Sequence, residues 1–96
     1  MPVDKANPNT LVLDFPVTIN GDTTSRLEMR RPTVEDQLAI EGMNLSQSKG
    51  EIHLFSNLTM VSPDVIKKMD LRDYLELGEL YSSFLERKSD GVDSTS

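Results

Sequence analysis

With 96 residues the chain has room for one domain and one modest core, since a chain of this size buries about two-thirds of its unfolded surface. Aromatics make up only 5% and Trp is absent, so Leu, Ile, Val and Met must build most of that core. Ten basic against 16 acidic residues leave a net charge of −6, which repels a phosphate backbone, and the lack of cysteine removes both a disulfide framework and thiolate chemistry, as befits a cytosolic protein.

Residues 1–10 contain Pro2, Asp4, Asn7 and Pro8 with no periodicity, which predicts a flexible arm and lacks the apolar stretch of a signal peptide. No apolar run in the chain exceeds three residues, as at Leu11–Leu13, so no membrane span is expected.

From Leu11 the pattern alternates: Leu11, Leu13, Phe15, Val17 and Ile19 fall on one face, the period of a half-buried strand. Asn20-Gly21-Asp22 supplies turn residues, and Thr23–Arg30 gives a second β-prone run with Leu27 and Met29 at alternate positions. The two form a hairpin over 11–30 whose parity can be argued. Leu27 and Met29 join the odd-numbered apolar face of the first strand only if the loop has an odd number of residues. A two-residue Asn-Gly turn pairs Ile19 with Asp22 and sets Leu27 opposite Asp14, so a three- or five-residue loop is expected unless a bulge near Pro16 intervenes. Pro16 has no amide hydrogen and belongs on an unpaired edge or in that bulge.

Thr33 offers a capping hydroxyl, with Glu35 and Asp36 in the first turn of a helix over about 33–43. Asn44–Gly50 reads as a polar linker, and a second helix over 51–61 carries Leu54, Phe55, Leu58 and Val61 on one face. Ser62-Pro63-Asp64 restarts a short helix over 63–69. Asp70 then caps a last helix over 71–88, whose Arg87-Lys88 end suits the helix dipole, and 89–96 reads as a disordered tail. The expected fold is α+β, an N-terminal two-stranded antiparallel hairpin followed by three to four short helices within a single domain spanning 11–88.

Catalytic inventory is thin. His53 is the sole histidine and falls on the polar side of its helix, where a solvated side chain is the plain reading. A Ser-His-Asp triad elbow and a His/Cys metal site are both missing, so neither an enzyme nor a cofactor is expected. Carboxylate pairs at Glu35/Asp36, Asp70/Asp73 and Glu76/Glu79 fit helix caps and solvated faces, without a calcium-loop or phosphate-loop pattern beside them.

Two features point to binding. Arg30-Arg31 puts paired cations in an acidic chain, able to dock an acidic partner or to bridge to Glu28, Glu35 or Asp36 within the chain. In the last helix Leu71, Tyr74, Leu75, Leu77, Leu80, Tyr81, Phe84 and Leu85 cover well over half the circumference, so either two internal neighbours flank it or one side awaits a partner. Tyr74, Leu77, Leu80, Tyr81 and Phe84, with Arg30 and Arg31, are the candidate contact residues.

Pro16, Gly21, the string Leu27-Glu28-Met29-Arg30-Arg31-Pro32-Thr33 with Asp36, then Ser62-Pro63 and the Asp70–Leu85 segment, resemble the small tail assembly chaperones of Mu-like and related contractile-tailed phages over about residues 11–86. Met29 stands where Leu is usual, and the polar linker departs from the pattern. The resemblance implies a protein of the host bacterial cytoplasm, absent from the mature virion, that binds the tape measure protein and helps to recruit tail tube subunits. It also implies, in many relatives, a frameshifted longer form of the chain. Self-association is compatible with it. The reading from another class is a small phage or plasmid regulatory protein binding DNA or a regulator, against which the charge argues.

Overall fold

A computed structural model describes residues 9–86. The fold is α+β: strands β1 (Thr10–Ile19) and β2 (Asp22–Glu28) form an antiparallel hairpin, followed by helices α1 (Val34–Gly42), α2 (Gln47–Thr59), α3 (Pro63–Lys68) and α4 (Leu71–Leu85). The arm expected over 1–10 lies, except for Asn9 and Thr10, outside the described residues, as do the basic Arg87-Lys88 end and the tail at 89–96.

The hairpin closes through a two-residue turn, not the longer loop that parity favours. Asn20 and Gly21 both take positive φ, 52° and 87°, so the turn twists with the strands. Ile19 pairs with Asp22, and the Thr18 and Thr23 hydroxyls meet at 2.8 Å across the next pair. Parity is rescued by a bulge. Thr10, Leu11 and Val12 pair with Glu28, Leu27 and Arg26, whereas Val17 pairs with Thr24, so Leu13–Pro16 stand against Ser25 alone. The excess is three residues, an odd number, which sets Leu27 opposite Leu11; Leu11, Leu13, Val17 and Ile19 all reach the core with Leu27 and Met29. Phe15, expected on that face, is instead turned outward and is 54% exposed, because the bulge breaks the alternation at its position.

The core lies between the hairpin and the helices. Leu13, Val17, Leu27 and Met29 meet Leu54, Phe55 and Leu58 of α2, Ile66 and Met69 around α3, and Leu77 of α4. A hydrogen bond from the Arg30 amide to the Leu58 carbonyl, 3.0 Å, ties the end of the hairpin to the last turn of α2 and satisfies a carbonyl that the helix itself leaves open.

Helix α2 begins at Gln47, four residues before its expected start, because the Ser46 hydroxyl accepts from the Lys49 amide and converts the polar linker into a first turn. It ends at Thr59, capped by Met60, which takes a left-handed conformation while the Val61 amide donates back to the Ser56 carbonyl at 3.2 Å. Pro63 opens α3 and the Asp70 carboxylate caps α4 through the Arg72 amide at 2.9 Å. Helix α4 stops at Leu85, with Glu86 extended.

Candidate functional site

The paired arginines are committed within the chain. Arg30 makes a two-pronged pair with Asp36, at 2.9 and 2.8 Å, while Asp36 also accepts from the Thr33 amide at 2.8 Å and the Thr33 hydroxyl accepts from the Asp36 amide. The guanidinium beside it holds the Asp36 carboxyl well below the usual carboxylate range, and the same hydrogen bonding raises Arg30. Arg31 lies over the Phe84 ring, 5.5 Å from its centroid, and donates to the Phe84 carbonyl at 3.2 Å. The string Arg30-Arg31-Pro32-Thr33 is therefore a junction: one arginine fixes the start of α1 and the next fixes the end of α4.

Asp73 is fully buried, at odds with its reading as a solvated cap. Its two carboxylate oxygens accept from the amides of Asp14 and Phe15, at 3.1 and 2.9 Å. The bulge denies those amides a strand partner, and a carboxylate from α4 replaces the ladder. The pairing spans 59 positions of sequence, which is why no local pattern announces it.

Helix α4 has two unlike sides. Toward the core, Leu77 is fully enclosed, so it belongs to the interior and not to an accessible contact surface as expected. Tyr74, Leu80, Tyr81 and Phe84 are half-buried against the same core, with the Tyr74 and Tyr81 rings 5.7 and 5.4 Å from Phe55. The Tyr74 hydroxyl donates to the Glu51 carboxylate, and burial, reinforced by that acceptor, pushes its pKa above the ordinary tyrosine value. On the far side Leu71, Leu75 and Leu85 stand 68%, 59% and 61% exposed. Of the two arrangements compatible with the apolar circumference, internal cover on two flanks or one open side, the chain adopts the second. The open leucines were visible in the sequence as part of that circumference, but only the packing reveals which side the core takes.

A concavity of about 250 Å³ is lined by Leu45, Lys49, Ile52, His53 and Lys67. His53 is half-buried there, more enclosed than its place on the polar side of α2 implies. Among the described residues no group of three or more His, Asp or Glu side chains is placed to hold a metal ion, and no helix is long and apolar enough to cross a membrane.

Fold and surface thus define an acidic α+β module whose last helix displays an exposed apolar side. Residues 10–86 match the family model described as phage tail assembly chaperone proteins, E, or 41 or 14, and the chain belongs to that family. No curated protein and no solved structure matches the chain.

Proposed function

We infer that the chain works by binding, not by catalysis: it holds the tape measure protein soluble in the host cytoplasm, assists assembly of the tail tube around it, and is absent from the finished virion. Family membership over residues 10–86 carries this reading. The exposed leucines of α4 and the charge of −6 support it, since a client with apolar helical stripes needs those stripes covered by something that keeps the complex soluble. Tail tube protein and a longer, frameshifted form of the chain are the further partners.

Among the expected contact residues, Tyr74, Leu80, Tyr81 and Phe84 offer only their half-exposed edges, and Arg30 and Arg31 serve through the elements they brace. Co-expression with the tape measure protein encoded in the same genome tests the reading. A stable complex and a larger soluble fraction of the tape measure are expected; neither appearing would overturn it.

A further inference from the structure

At 100° per residue, Leu85, Gly78, Leu71, Ser82 and Leu75 fall in a single stripe about 80° wide, centred roughly 120° around α4 from Leu77. Three leucines are spaced along it, and two residues with little or no side chain lie between them. A Cβ built on Gly78 meets nothing within 4 Å, so the middle of the stripe is an open notch. From Leu71 to Leu85 it runs about 21 Å, the length of a four-turn helix.

Its two borders differ. One carries Glu86 and Glu79, followed by Arg72, whose guanidinium lies 4.0 Å from Asp14. The other carries the ring edges of Tyr74 and Tyr81. The stripe is therefore apolar at the centre, acidic on one border and aromatic on the other, in a chain of net charge −6.

We propose that this stripe is the docking face for one amphipathic helix of the client, whose own apolar stripe is bordered along one edge by Lys and Arg. The proposal rests on the tape measure reading and says which part of the chain and which part of the client meet. Leucines at either end grip the incoming helix, the Gly78 notch lets the two backbones approach, and the glutamate border fixes direction and register by pairing with the basic edge. The face lies beside the residues that the sequence pattern favours, because Tyr74 and Tyr81 are already engaged by Phe55, Phe84 by Arg31, and Leu77 is enclosed in the core.

The test uses the full chain co-expressed with the tape measure protein of the same genome, comparing wild type with Leu75→Glu, Gly78→Gln, Glu79→Lys and Leu38→Glu. Leu38 is as exposed as Leu75, 59% in each case, but sits on α1 and controls for a charge placed on any surface leucine. Leu75→Glu and Gly78→Gln are expected to reduce retained tape measure about tenfold, Glu79→Lys by less and with a weaker effect at high salt, and Leu38→Glu within about twofold of wild type. Gly78→Gln separates binding from folding, since it replaces a helical glycine over open space and is expected to raise the thermal midpoint while lowering retention.

If wild type retains the tape measure and Leu75→Glu retains as much, the stripe is overturned and the chaperone reading stands. If wild type retains none, both fall. If sedimentation shows a wild-type dimer that Leu75→Glu dissolves while tape measure binding is untouched, the face belongs to a second copy of the chain and the proposal is wrong.

Discussion

Helices α1 and α4 are held in opposite ways. Helix α4 is anchored from within: Leu77 and Asp73 are both fully buried, one packed among apolar side chains and the other bonded to two strand amides. Helix α1 has no buried residue at all. It is held at its first turn by the Thr33 capping box and the Arg30–Asp36 pair, and along its flank by Ile40 leaning on Gly50. The contrast teaches that one part of this small domain opens only with the whole, whereas the other can open alone, as polar clasps near water hold less tightly than buried contacts.

The largest effect is expected at the buried carboxylate. Asp73→Ala leaves two partly buried amides without their partners and should cost about 2–4 kcal/mol, read as a drop in the urea midpoint of the whole domain. A loss below about 1 kcal/mol would mean that water replaces the carboxylate and that α4 is not anchored as described.

Asp36→Ala should cost about 1–2 kcal/mol by removing a cap and an ion pair whose arginine is 47% exposed. Its signature is local: amide exchange quickens in α1 while α2 and α4 keep their protection. Uniform loss across all helices would erase the distinction between the two regions. The same clasp responds to acid. Because the folded Asp36 pKa is depressed, its contribution is complete above the unfolded aspartate value of about 3.9 and is lost as pH falls through the lower folded value. Amide chemical shifts of Thr33 and Asp36 followed through an acid titration should therefore move together, ahead of the core.

The smallest effects concern two glycines. Gly78→Ala, over open space in mid-helix, should stabilise by about 0.5–1 kcal/mol. Gly50→Ala should gain less, since its Cβ would sit 3.1 Å from the Ile40 side chain and α1 must give way. Equal gains in thermal midpoint would show that α1 shifts at no cost.

Much of this architecture was legible because its signals are local. The alternation from Leu11 to Ile19, the Thr33 and Asp70 caps and the Ser62-Pro63 start each act within a few residues of themselves. Parity alone demanded either a longer loop or a bulge, and Pro16 marked where the bulge falls. What stayed hidden depends on distance. Asp73 looks like any acid in a first helical turn until the strand 59 residues earlier is folded against it. The outward turn of Phe15 follows from the extent of the bulge, Leu13–Pro16 against Ser25, which Pro16 alone did not reveal. For the contact surface, the width of the apolar band on α4 was readable, but which half the core would claim depended on Phe55 and Arg31 arriving from elsewhere.

The bulge also sets an order of events during synthesis. The hairpin leaves the ribosome before the four helices, and its tip can close around Asn20-Gly21 using contacts only a few residues apart. Its middle cannot finish then, because the amides of Asp14 and Phe15 await an acceptor that is translated dozens of residues later. A hairpin made ahead of all four helices is thus completed only with the last of them, and a nascent chain cut short before Asp73 carries a strand whose unpaired stretch is open to any other edge it meets.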